Sequence, residues 1–317
     1  MSSHRKRNIA ADWFRASAAT GDFMGIRYGR VSVTTGDARW FHVSHCECDG
    51  IGGFARLLRE QGADIPHLPE TKTRCRGVIL PLWRLWRDRR HSRPCAMRGD
   101  WQPAIPLGIN RPEDVAWHLF TAEETLEIIN RCRGMKVTVN SFLLRALDLA
   151  VRREIRRPEA TIAWMIPVNL RGDVQYSDDT QNHVSCVDAH IAADDTPQSI
   201  NHQILGRLRR GEHRANHLLL TLGGIMSHRA KVAYLKKERA KPAGNIGSFS
   251  NLGVWNPDAK TTGDDAWVFC PPVVAGQLLS AGAVTFHGRL GLATLGNSAA
   301  TPAARRMDRW LEMIRTL

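Results

Sequence analysis

Between Trp40 and Leu58 the chain reads WFHVSHCECDGIGGFARLL, and its periodicity changes partway through. An alternating run ends at His45, and after Gly50 the residues Ile51, Phe54, Leu57 and Leu58 recur along one helix face. Alternation places successive side chains on opposite faces of a strand, whereas this second spacing gathers them on one side of a helix. A strand that runs through a short turn into an amphipathic helix calls for layers of sheet and helix.

The rest of the chain extends this reading. Residues 23–34 and 39–44 read as two strands around a turn at Thr35-Gly36-Asp37, a hairpin signal. Residues 63–112 are rich in Pro and Arg and lack periodicity, apart from a short element around Val78 to Trp86. Thr121 followed by Glu124 is a capping box that opens a helix. A second helix is expected over Thr138 to Ile155, strands over TIAWMIPVNLR and NHVSCVDAHI, and helices over 196–240. The last third reads as four strands closed by a helix from Pro302 to Leu317. The fold class is therefore a mixed α/β (α+β) one. Two lobes are expected to divide near residue 105, residues 1–105 forming the first and 106–317 the second.

Composition limits the function classes. Apolar residues make up 43% of the chain, so a packed globular protein is expected rather than a disordered one. Lys and Arg number 44 against 31 acidic residues, a net charge of +13 that favours anionic partners. The densest basic stretch, WRLWRDRRHSR from Trp83 to Arg93, has two readings: a solvated basic segment, or a surface for phosphates and bases. No nucleic-acid-binding motif accompanies it, so no specific nucleic-acid partner is expected. Peripheral contact of this Trp-containing segment with anionic lipid is a further expectation. Seven cysteines without framework spacing fit reduced thiols. The start of the chain lacks an apolar signal region, and the longest apolar run, Cys270 to Phe286, is broken by Pro and Gly. A soluble, cytoplasmic protein is expected.

The turn SHCECDG admits four chemistries. His45, Cys46 and Cys48 are zinc-ligand types, but the two cysteines stand one residue apart and no second ligand pair closes a tetrahedron. A thiolate paired with His45 needs alignment that sequence neighbours rarely achieve. A histidine can simply end a strand. In the fourth reading His45 is a general base, Asp49 locks the turn through an ion pair, and Gly50 adopts a backbone conformation closed to other residues. The spacing alone leaves these open.

Four segments in order resolve the choice by resemblance. SHCECDG resembles the HHxxxDG motif of the chloramphenicol acetyltransferase-like superfamily, which includes condensation domains, wax ester synthase/diacylglycerol acyltransferases and alcohol acetyltransferases. TVNSFLLRALDLAV resembles the first long helix of the second lobe, and IPVNLRGD the P-V-[NS]-L-R segment of the ester-forming branches. SFSNLGVW resembles the segment where the lobes cross over, and Asn182 of TQNHVSC falls at a strand start where Gly-Asn is usual. The resemblance implies a two-lobed fold with mixed sheets, flanking helices and a tunnel between the lobes. His45 is implied as general base, with Asp49 structural beside Gly50 and Arg171 as its partner. Asn182 is implied as supporting, and Ser250 and Asn251 lie near the developing oxyanion. The implied reaction moves an acyl group from acyl-CoA or an acyl carrier protein to a small alcohol or amine. Coenzyme A thioester enters as donor substrate, with no metal and no permanently bound cofactor.

Ser44 stands where the motif's first histidine is usual, and the motif comes early, so a shortened first lobe without its opening helix and first strands is expected. Homo-oligomerisation would supply the missing wall. The alternative is a non-catalytic relative that binds acyl chains, a carrier protein or a partner subunit.

Overall fold

The computed structural model describes residues 9–71, 81–83, 100, 115–172, 180–241, 244–257, 265–274, 277–296 and 302–317. The boundary expected near residue 105 and the basic stretch after Trp83 lie outside these residues.

Nine strands form two sheets among the described residues. The smaller has the order β2-β1-β7, built from β1 (Gly25–Ser32), β2 (Ala38–Ser44) and β7 (Asp265–Cys270), all antiparallel. The larger has the order β3-β9-β8-β6-β4-β5 and contains β3 (Ala116–Leu119), β4 (Ile162–Asn169), β5 (Val184–Ile191), β6 (Gly247–Trp255), β8 (Leu279–Phe286) and β9 (Arg289–Gly296). β6 runs parallel to β4 and β8; the remaining pairs are antiparallel. The helices are α1 (Ile9–Ala18), α2 (Gly50–Glu60), α3 (Ala122–Gly134), α4 (Val139–Arg152), α5 (Pro197–Arg209), α6 (Glu212–Leu222), α7 (His228–Arg239) and α8 (Ala303–Thr316). None of them is long and apolar enough to cross a membrane.

The hairpin, the helix after Gly50 and the capped helix after Thr121 form where their sequences place them. Thr121 accepts from Glu124 N at 3.1 Å while Glu124 Oε2 accepts from Thr121 N at 2.8 Å, closing the capping box. Two elements depart from the sequence reading. β3 was not expected, and α1 precedes the hairpin although no opening helix was anticipated. Both are short, and their spacing alone does not distinguish them from loop.

β8 shows how the sheets stack. Leu279, Ala281 and Ala283 face a core shared with Leu143, Leu147 and Trp310 of α4 and α8, while Val284 and Phe286 face an aromatic core with Tyr28, Phe54 and Trp267. A strand buried on both faces is largely apolar, as LSAGAVTF is apart from Ser280 and Thr285. At Gly282 a side chain would meet the Phe269 carbonyl oxygen, so β7 crosses the larger sheet at backbone distance. The small sheet is thus closed onto the large one by a strand from the last third of the chain.

Helix α2 approaches the 180–183 segment just as closely. A Cβ at Gly52 would collide with the Thr180 carbonyl oxygen, which is backbone and cannot swing aside. Gly52→Ala is expected to lower the thermal midpoint, by a destabilisation of about 1–3 kcal/mol typical of overpacking. Gly134→Ala, in the last position of α3 with open space around it, is expected to leave the midpoint unchanged or raise it. Calorimetry of the two variants checks the contrast.

Candidate active site

Asp49 organises the site through two oxygens. Oδ1 caps α2 by accepting from Gly52 N at 2.7 Å. Oδ2 accepts from Arg171 Nη1 and from His183 N, each at 2.8 Å. Asp49 is 4% exposed and Arg171 is fully buried. Arg171, just past β4, spends its other hydrogens inside the protein. Nη1 also donates to Asn169 Oδ1 at 3.2 Å and Nη2 to the Gln181 carbonyl at 2.9 Å. One ion pair therefore joins the start of α2, the end of β4 and the start of β5.

Gly50 does not fill the role first assigned to it. Its φ is not in the left-handed region, and it is the first residue of an ordinary helix. What is tight there is space, since a Cβ would lie 2.9 Å from Leu252 Cδ2 and 3.2 Å from Phe269 Cζ. Its carbonyl accepts a 2.8 Å hydrogen bond from the Tyr28 hydroxyl. Burial pushes that phenol well above its ordinary pKa, so it remains a donor.

His45 follows β2 and is half-buried. Its backbone is fixed twice: its N–H donates to the Met24 carbonyl at 2.8 Å, and its carbonyl accepts from Asn182 Nδ2 at 2.6 Å. The ring Nδ1 lies 2.9 Å from the Cys48 carbonyl oxygen. A carbonyl only accepts, so Nδ1 carries the hydrogen and Nε2 of the neutral ring holds the lone pair. Burial pushes His45 below the ordinary histidine range, while Asp49, the Cys48 carbonyl and Asn182 pull the other way. The ring of Phe14 from α1 stacks on the imidazole with centroids 4.0 Å apart and planes 22° from parallel.

His45, Asp49, Gly50, Arg171, Ser250 and Asn251 line one cleft between the two sheets, whose empty space including its mouth is about 510 Å³. Ile26, Ile51, Pro167, Val184, Leu252, Phe269 and Pro271 make its walls largely apolar. Ser250 and Asn251 lie on β6 at an irregularity in its pairing with β8. Asn251 Oδ1 accepts from Gly253 N at 2.9 Å, and Gly253 has φ +81°. The Asn251 side-chain oxygen is thus engaged in shaping the bulge that follows Ser250 and Asn251. Asn182 does not line the cleft; it lies behind His45 and holds its backbone.

The other chemistries of the turn find less support. Burial pushes the Cys48 thiol up, away from the reactive thiolate. Among the described residues no group of three or more His, Cys, Asp or Glu side chains is placed to hold a metal ion. Sequence reasoning missed Phe14, Tyr28 and Asn169. Asn169 stands inside the PVNLR segment and its Oδ1 accepts from both the Arg171 backbone and guanidinium. Phe14 and Tyr28 carry no local signal, because each reaches the turn from a different element.

The Asp49–Arg171 pair makes a sharp stability prediction. Asp49→Asn retains a capping side chain but leaves a buried guanidinium without its carboxylate, which is expected to cost about 3–5 kcal/mol. Adding Arg171→Met is expected to recover part of that loss, because the uncompensated charge is gone. Urea midpoints of the wild type, the single variant and the double variant check this.

No family model and no curated protein matches the sequence. Solved structures do match in shape. The cyclization–docking bidomain of a nonribosomal peptide synthetase from Sorangium cellulosum aligns with TM-score 0.54 at 14% identity, over 87% of this chain and 58% of its own. Polyketide synthase associated protein 5 from Mycobacterium tuberculosis aligns with TM-score 0.52 at 14% identity, over 89% of this chain and 74% of its own. A trichothecene 15-O-acetyltransferase from Fusarium sporotrichioides aligns with TM-score 0.52 at 14% identity, over 87% of this chain and 64% of its own. The chain therefore spans between 58% and 74% of the length of these structures. These matches show that the chain shares the fold of these structures.

Proposed function

We propose that the protein is an acyltransferase in which His45 is the general base. The carrying observation is the tautomer: Nδ1–H is committed to the Cys48 carbonyl, which leaves the Nε2 lone pair on a histidine that lines the cleft. In this reading a thioester, from acyl-CoA or a carrier protein, meets a hydroxyl or amine in the cleft. Nε2 takes the acceptor's proton as its heteroatom bonds to the thioester carbonyl carbon. The carbonyl electrons move onto oxygen, and the Ser250 hydroxyl is the donor that stabilises the resulting oxyanion. When the oxyanion collapses the carbon–sulfur bond breaks, and the imidazolium returns its proton to the departing thiolate. Asp49 and Arg171 hold the frame and transfer no proton. The net charge of +13 suits the phosphates of coenzyme A or an acidic carrier.

The test is thiol release from acetyl-, octanoyl- and palmitoyl-CoA with a panel of alcohols and amines. His45→Ala is expected to reduce turnover by about 10²–10⁴-fold, the range for loss of a general base, with unchanged circular dichroism. Unchanged turnover in that variant would refute the role. A folded wild type that releases no thiol with any donor or acceptor would favour the non-catalytic, acyl-binding alternative.

The lowered His45 pKa fixes the sign of the pH dependence. The base works only when neutral, so kcat/KM rises with pH through the pKa of the free protein. That acid limb is expected to have its midpoint below the ordinary histidine value of about 6.5. A pH–rate profile with the best donor, checked against solvent-exposed histidine resonances, measures it.

A further inference from the structure

We propose that Phe14 is a positioning residue for His45, and that α1 is built to hold it there. This inference rests on the general-base reading above. The first observation is the stack itself, with centroids 4.0 Å apart and 22° between planes. The hydrogen bond from Nδ1 to Cys48 restrains one edge of the imidazole but leaves rotation about that edge open. A ring lying flat on its face removes that freedom. Because the contact is face to face, it leaves the Nε2 edge uncovered, whereas an edge-to-face contact from that side would occupy it.

The second observation is how α1 is anchored. Trp13, the neighbour of Phe14, donates from Nε1 to the Leu220 carbonyl at 3.0 Å and meets the Tyr234 ring edge-on at 5.8 Å. Lys231 sits 5.5 Å above the Trp13 ring, and its Nζ lies 3.8 Å from Asp12 Oδ2. Helix α1 presses so closely on the turn after α6 that a side chain at Gly223 would meet Trp13 Cζ2 at 2.6 Å. One at Gly224 would meet Ile9 Cγ2 at 2.9 Å. Arg239 of α7 binds Ser17 in the last turn of α1, and Thr20 and then Asp22 beyond it. Two residues later the chain reaches Met24, whose carbonyl holds the His45 N–H. The second half of the chain thus clamps α1 on one side while Phe14 bears on the imidazole from the other.

The consequences are measurable on the ring itself. A phenyl ring in this position shields the imidazole Hε1, and it keeps water from one face, which disfavours the charged form. Histidine NMR of the full chain, with His45→Ala identifying the resonance, is expected to show three things. In Phe14→Ala the His45 Hε1 signal moves downfield as the ring current is lost. Its pKa rises toward the ordinary value. In Phe14→Trp both return toward wild type.

With the acyl-CoA series, Phe14→Ala is expected to lower kcat on the order of tenfold with KM little changed, and its acid limb to move up with the NMR pKa. Phe14→Trp is expected to restore kcat. An unmoved His45 resonance and pKa in Phe14→Ala would overturn the proposal. So would a loss of kcat that Phe14→Trp does not restore. The NMR shifts do not depend on turnover, so a displaced His45 signal combined with full activity in His45→Ala would sink the general-base reading and leave the contact standing.

Discussion

The carboxylate of Asp49 is the constraint on which the rest of the site depends. Three separate pieces of chain meet at it: the turn that carries it and runs on into α2, the guanidinium beyond β4 and the backbone at the start of β5. A fully desolvated ion pair stabilises little relative to apolar packing, but breaking it is costly, so it selects one arrangement over near alternatives. The arrangement selected is the one in which the residues behind His45 are fixed. Asn182 directly precedes His183, whose N–H binds Asp49, and it holds the His45 carbonyl. Asp49 and His45 are thus linked through the backbone of residues 182–183 rather than by a direct hydrogen bond.

That division of labour explains the electrostatics of the cleft. Asp49 and Arg171 neutralise each other inside the protein, and burial favours the uncharged form of His45. The surrounding wall is mostly aliphatic and aromatic. On the acyl-transfer reading, a thioester entering the cleft meets a lone pair and a hydroxyl in a weakly screened setting, where short-range hydrogen bonds count for more than in water.

Much of this was legible in local sequence. The change of period at SHCECDG located the strand end and α2, and the Thr121 capping box located α3, because both signals come from residues within one turn of each other. Arg171 and Ser250 were found by resemblance of PVNLR and SFSNLG, not by any pattern that ties them to Asp49 or His45. Gly50 was misread, since a glycine wanted for φ and a glycine wanted for space look the same in sequence; only Leu252 and Phe269, two hundred residues away, tell them apart. Phe14 was invisible for a similar reason. Its partner lies across a tertiary contact, and nothing in IAADWFRASA marks one aromatic as facing the site.

β7 carries a consequence for the order in which the protein is assembled. β1 pairs on one side with its hairpin neighbour and on the other with a strand about 240 residues later. During synthesis the first strands leave the ribosome as a two-stranded ribbon with an open edge, and such a ribbon is marginally stable alone. It gains its third strand, and the cleft gains Phe269 and Pro271, only once residues 265–271 have been made. Contacts of such sequence separation slow folding and lengthen the exposure of unpaired edges. The cleft is therefore among the last features to be completed, and a ribosome that stalls before residue 265 releases a chain that carries His45 but lacks the part of the wall that Phe269 and Pro271 supply.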